Sequence, residues 1–168
     1  MCPRIESEIV RRKFITKSDV ANVRRRDEQN WLDLGQIASV EVTSEDPNFP
    51  IESALVPGEG PGWRASASGK QIIRILFDNP RRLHRSRLEF LESDVQRTQE
   101  FTLAWSTQWN GPLREIVRQQ WNFSPQASTS EVEDYQVDLD FVSVLELALK
   151  PDLMPSNAVA TLTAWRMV

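Results

Sequence analysis

Gln71-Ile72-Ile73-Arg74-Ile75-Leu76-Phe77-Asp78 is the stretch that decides the fold. In an extended chain Ile73, Ile75 and Phe77 fall on one face and Ile72, Arg74 and Leu76 on the other, a period of two that marks a strand. The period recurs along the chain. Val40 and Val42 alternate ahead of the turn-rich Ser44-Glu45-Asp46-Pro47-Asn48, and Leu88 and Phe90 alternate with Arg87, Glu89 and Leu91. Phe101, Leu103 and Trp105 share a face, as do Val117, Trp121 and Phe123. Tyr135, Val137, Leu139 and Phe141 give the most regular alternation; Leu145, Leu147 and Leu149 follow, and Leu162 lies in a last strand closing at Val168. Asn79-Pro80, Asn110-Gly111-Pro112, Ser124-Pro125 and Lys150-Pro151-Asp152 supply turns between them. About eight strands with no helical period between them predict an all-β sandwich or barrel.

Upstream of this region the character changes. Glu6 to Asp33 is dense in charge, with Arg11-Arg12-Lys13 and Arg24-Arg25-Arg26 as basic runs. Ser18 or Asp19 is placed to cap a helix running toward Leu34, with Val20, Val23 and Trp31 among its apolar positions. The chain therefore divides into a partly helical or irregular arm over residues 1–35 and a β-domain over residues 36–168. Its 168 residues suffice for one domain with a real core. A net charge of −4 gives no basic field for nucleic acid. Cys2 is the single cysteine, so no intramolecular disulfide can form, and no apolar run marks a signal peptide or is long enough to span a bilayer. The expected location is cytoplasmic.

Gly62-Trp63-Arg64-Ala65-Ser66, then Gly69 to Asp78, then Pro80-Arg81-Arg82-Leu83 together resemble the discoidin, or coagulation-factor type C, family of galactose-binding-like domains. That family places a Trp after a Gly-rich loop, then an alternating strand ending in a short apolar-Asp/Gly-x-Pro turn, then a second strand. Here Gln71–Asp78 resembles the first strand and Leu83–Glu92 the second; Phe101 to Ser106 resembles the strand leading into a variable loop, and Val137 to Leu149 and Ala160 to Trp165 the closing strands. The resemblance covers roughly residues 36–168. It implies an eight-stranded jelly-roll-like sandwich that binds ligands through loops at one end. Many members hold a structural calcium. Here Val56-Pro57-Gly58-Glu59-Gly60 and Ala164 stand where oxygen donors are needed, so no metal is expected.

Constellations for catalysis are missing from the sequence. His84 is the only histidine and lies among Arg81, Arg82, Arg85 and Arg87, on what reads as a solvated face. No nucleophile elbow, P-loop or dinucleotide fingerprint occurs, and Gly58-Glu59-Gly60-Pro61-Gly62 reads as a turn. Glu131 and Glu133 are read as preceding a strand, with Asp138 and Asp140 on its solvent side. No enzyme and no cofactor are expected. Of six tryptophans, Trp105, Trp121 and Trp165 read as core, Trp63 as a packing residue and Trp31 as an anchor for the arm. Trp109 lies in the polar turn Ser106-Thr107-Gln108-Trp109-Asn110-Gly111. Either it folds back on the sandwich rim, or it offers a ring to a sugar with Gln108 and Asn110 as amide partners. Phe49, between Asn48 and Pro50 and with Asp46 and Asn48 able to add hydrogen bonds, is the second loop aromatic. The candidate ligand-binding residues are thus Asp46, Phe49, Gln108, Trp109 and Asn110, on a non-catalytic carbohydrate-binding module. The alternative is an intracellular protein-interaction or assembly module in which the charged arm docks on a partner or on another copy.

Overall fold

The computed structural model describes residues 11–15 and 30–168. The helix expected from Ser18 or Asp19 lies mostly outside the described residues; at its far end the short helix α1 (Leu34–Ile37) forms. Among the described residues nine strands follow one another: β1 (Arg11–Phe14), β2 (Ala38–Val42), β3 (Trp63–Ser68), β4 (Gln71–Leu91), β5 (Arg97–Ser106), β6 (Arg114–Phe123), β7 (Ser130–Lys150), β8 (Val159–Leu162) and β9 (Ala164–Met167). A second short helix, α2 (Glu52–Leu55), interrupts the connection from β2 to β3. The β-sandwich expectation holds, with Arg11–Phe14 adding a strand beside β2.

The architecture is governed by the two 21-residue strands β4 and β7, which pair antiparallel along their lengths. Asn79-Pro80, read from sequence as a turn, lies inside β4, and the segments read as two strands around Phe141 and Leu145 form the single strand β7. What lies between the halves is a fold, not a loop. The register shifts between Leu76 and Arg81, again before Leu83, and again before Arg85, and Phe141 takes φ of 57° there. Extra residues in a ladder bend the strands and increase their twist, and a proline is tolerated where the ladder is already broken.

The bent hairpin belongs to both layers. The first halves, Gln71–Leu76 of β4 and Val144–Leu149 of β7, sit in the order β1-β2-β4-β7-β5-β6. The other halves form the second layer, with β9 paired to Ser86–Glu89 of β4. Phe90 from the second layer stacks on Phe101 from the first, centroids 5.3 Å apart, so the hairpin returns over its own sheet. One core results, containing Ile73, Ile75, Phe77, Leu88, Phe101, Leu103, Leu145, Leu147 and Trp165. The small sheet β3-β8 adds Trp63 and Leu162 to it. Trp63 donates its indole N–H to the Ser44 carbonyl (3.2 Å), and Trp165 donates to Ser86 Oγ (3.1 Å), which satisfies the polar atom each ring brings inside. Trp105 and Trp121 are half-buried at the core margin.

Candidate functional site

The folded hairpin gathers loops at one end. Because β4 returns, its last residue Leu91 pairs with Ser130, and the Glu92 N–H donates to the Thr129 carbonyl at 2.7 Å. Leu153, beyond the end of β7, donates its N–H to the Thr98 carbonyl at 2.8 Å. The connections β4–β5, β6–β7 and β7–β8 therefore meet beside the first residues of β5. Arg97 joins two of them, β4–β5 through Glu92 and β7–β8 through Pro151, its side chain 0% exposed. Its Nε donates to Glu92 Oε1 (2.8 Å), its Nη1 to the Pro151 carbonyl (2.7 Å) and Gln99 Oε1 (3.1 Å), and its guanidinium lies 4.8 Å from the Phe123 ring centroid. A buried cation is tolerable only with such a set of partners.

Asp152 organises the rim. Burial pushes its carboxyl up, but the amide of Met154, the Ser156 side chain and the amide of Thr98 outweigh that and hold it below the usual carboxylate range. Between these groups lies a hollow of about 540 Å³ lined by Gln96, Arg97, Thr98, Asn122, Phe123, Asp152 and Met154. Thr98 Oγ1 donates to Asn122 Oδ1 at 2.7 Å, which leaves the Asn122 amide N–H groups facing outward as donors. Met154, 69% exposed, is an apolar surface beside them. An apolar patch with a few fixed polar groups at a loop-lined end is the general form of a small-ligand site.

The five residues expected from sequence do not assemble into one site. Asp46 and Phe49 leave β2 beyond Val42, at the end of the sheet that carries Gln71 and Leu149. There Asp46 Oδ1 accepts the Asn48 N–H (2.9 Å), and the Arg64 guanidinium lies 4.5 Å from the Phe49 ring centroid. They share the loop-bearing end with the hollow but stand across β4 and β7 from it. Gln108, Trp109 and Asn110 follow Ser106, at the opposite end, where Ser106 pairs with Val144. Trp109 donates its indole N–H to the Phe77 carbonyl at 3.1 Å, and the Arg12 guanidinium lies 5.2 Å from its ring centroid. This loop folds back toward the outer face, where Leu76 and Val144 are buried although they lie outside the main core. Trp109 nevertheless stays 43% exposed, with Gln108 and Asn110 exposed on either side.

Glu131 and Glu133, read from sequence as preceding a strand, are within β7 and alternate in phase with Tyr135, Val137 and Leu139, toward the core. Burial first, then the neighbouring carboxylate of Glu133, push Glu131 up to about 8, toward its neutral form. Asp138 and Asp140 are on the wet face, as expected, paired with Arg82. Among the described residues no group of three or more His, Cys, Asp or Glu is placed to hold a metal, and no helix is long and apolar enough to cross a membrane.

The architecture is that of the discoidin-type, galactose-binding-like β-sandwich. A family 32 carbohydrate-binding module from Clostridium perfringens, solved with GalNAc-β-1,3-galactose, superposes with a TM-score of 0.60 at 15% identity, over 82% of this chain and 98% of that one. The family 32 module of AlyQ, solved with 4,5-unsaturated mannuronic acid, gives 0.55 at 16% identity, over 83% of this chain and 98% of that one. A Ruminococcus gnavus GH29 fucosidase gives 0.55 at 9% identity over 77% of this chain, which spans only 24% of the fucosidase. The fold thus occurs in carbohydrate-binding modules, including one that shares a chain with an alginate lyase domain, and within a fucosidase chain. No family model matches the sequence, and no curated protein matches it.

Proposed function

We propose that this chain is a non-catalytic carbohydrate-binding module whose sugar site is the hollow beside Arg97. The observation that carries the proposal is a buried arginine that joins the β4–β5 and β7–β8 connections beside a hollow where Thr98 bonds both Asn122 and Asp152 next to the apolar Met154. Structures sharing this fold were solved with GalNAc-β-1,3-galactose, galactose and an unsaturated mannuronic acid. A volume of about 540 Å³ admits a sugar of one or two rings, since small-ligand sites span roughly 300–1,000 Å³. The Asn122 amide and Asp152 carboxylate supply donor and acceptor for hydroxyls, and Met154 packs against the C–H face of a ring. The hollow holds no nucleophile–base pair, which supports binding without turnover.

A second reading places the sugar on Trp109, and the ring's partial exposure between two exposed amides favours it. A glycan array probed with the native protein, Asn122→Ala and Trp109→Ala separates the two. The expected result is a defined set of bound sugars lost in Asn122→Ala and kept in Trp109→Ala. The reverse pattern moves the site to the Ser106–Gly111 loop. A blank array with folded protein refutes sugar binding.

A further inference from the structure

The outer face of the first layer carries a trough that none of the candidate site residues line. Three rows of side chains cross β7, β5 and β6 there, set by the register. Lys150, Glu100 and Gln120 form one row, Ala148, Thr102 and Arg118 the next, and Glu146, Ala104 and Glu115 the third. Small side chains at Ala148, Thr102 and Ala104 make a floor between two taller charged walls, enclosing about 270 Å³. The walls are four residues apart along each strand, about 13 Å.

The walls are unequal. Opposite β7, Arg74 closes onto Glu146 with Nε to Oε2 at 2.6 Å. Glu100 accepts from Gln120 Nε2 (2.8 Å) and Arg118 Nη1 (3.2 Å), and the Gln120 bond, with Lys150 and Arg118, holds it ionised against the effect of burial. Lys150 reaches Glu100 only at 3.6 Å. Lys70 also lines the trough, on the turn where Gly69 has φ of 85°, and has no ion-pair partner among the described residues. Its neighbour Gln71 is pinned by the hydroxyls of Thr43 (2.6 Å) and Ser44 (2.7 Å), which fixes where Lys70 starts. With Arg74 the trough has four cations (Lys70, Arg74, Arg118, Lys150) against three carboxylates (Glu100, Glu115, Glu146), in a chain whose net charge is −4.

We propose that this trough is a second binding site, for a carboxylate-bearing oligosaccharide such as an oligouronate. One carboxylate sits between Lys70 and Lys150, of which only Lys150 reaches an acidic partner, Glu100 at 3.6 Å. The ring faces lie on Ala148 and Ala104, and hydroxyls donate to the wall carboxylates. That last feature selects a saccharide over an acidic peptide, whose carboxylates would meet Glu100, Glu115 and Glu146 with no hydroxyl to offer them. The site shares with the hollow only the class of ligand, and different sugars test the two.

The experiment is titration calorimetry of the whole chain with tetragalacturonate, its methyl ester and hexaglutamate, at about 50 and about 300 mM salt. Tetragalacturonate should bind, more weakly at the higher salt, and the uncharged ester should not. The double variant Lys70→Gln/Lys150→Gln should weaken binding about tenfold or more, as loss of charge-assisted hydrogen bonds does. Ala148→Phe, which fills the trough, should abolish binding, whereas Asn122→Ala should leave it unchanged. No binding of tetragalacturonate, full retention in the double variant, or equal binding of the ester or of hexaglutamate each overturns the proposal. Should Ala148→Phe not fold, the surface double variant decides alone. Loss of neutral-sugar binding in Asn122→Ala without loss of tetragalacturonate shows the two sites to be separate.

Discussion

Replacing Glu131 with Gln should stabilise the protein at neutral pH and leave it unchanged in mild acid. Glu131 is 1% exposed, its Oε1 has no hydrogen-bond partner, and Gln99 Nε2 reaches its Oε2 only at 3.4 Å. Its surroundings are Glu133 and Tyr135 on its own strand and Arg97 and Gln99 on β5. Burial, reinforced by Glu133, raises its folded pKa to about 8. In the unfolded chain a glutamate ionises near 4.3. Below that value both states hold the proton and the contribution to stability is complete. As pH rises toward 8 the unfolded chain gives up its proton while the folded one keeps it, and stability falls by at most about 1.4 kcal/mol per pH unit. By pH 7 the loss is on the order of 3 kcal/mol, against a total of roughly 5–15 kcal/mol for a domain. Above about 8 it levels off. Glutamine has the same shape and no charge to lose. Urea unfolding of both proteins at pH 4.5, 6, 7 and 8, followed by tryptophan fluorescence, gives the difference directly, and every other titrating group cancels in it. A difference that opens steadily from pH 4.5 upward is expected. A constant offset across the range would refute the assignment of the neutral acid to Glu131.

Three further outcomes follow from packing and hydrogen bonding. Leu147→Ala removes a fully buried side chain where β4, β5 and β7 meet and should cost about 2–5 kcal/mol in urea unfolding. Gly62→Ala should cost about 3 kcal/mol, because φ is 115° and a Cβ would meet the Leu162 carbonyl at 2.5 Å; loss below 1 kcal/mol would contradict the tight contact between β3 and β8. Asp152→Ala should lower the melting temperature by a few degrees, as a loss of about 1 kcal/mol does, and weaken sugar binding. Because the folded pKa of Asp152 is depressed, its contribution is complete above the unfolded value and disappears on acidification, so native and variant should converge in acid.

None of the five residues expected from sequence lines the hollow. Loop aromatics beside amides pointed to Phe49 and Trp109, yet the register sets Val42 and Ser106 at opposite ends of the sheet, so their loops diverge. No single stretch of sequence places the hollow, because Arg97, Asn122 and Asp152 are far apart along the chain. Glu131 and Glu133 do carry a sequence signal. They continue the odd-numbered apolar series of Tyr135, Val137 and Leu139 and therefore had to point inward once the strand extended to Ser130.

Period-two alternation determined, by itself, that residues 36–168 are all-β, and it set Ile73, Ile75 and Phe77 on one face of a strand and Leu145, Leu147 and Leu149 on one face of another. Those are local consequences of backbone pleat and of burying one face. Sequence could not say that Asn79-Pro80 is a bend within one strand, since a proline marks a turn equally well in isolation. Only pairing across the whole of β4 and β7 decided that, with bulges absorbing the mismatched lengths and aiming the second half back over the first. The ends of the sandwich, and hence which loops become neighbours, depend on that single fold. Contacts between segments tens of residues apart set it, and no local pattern carries them.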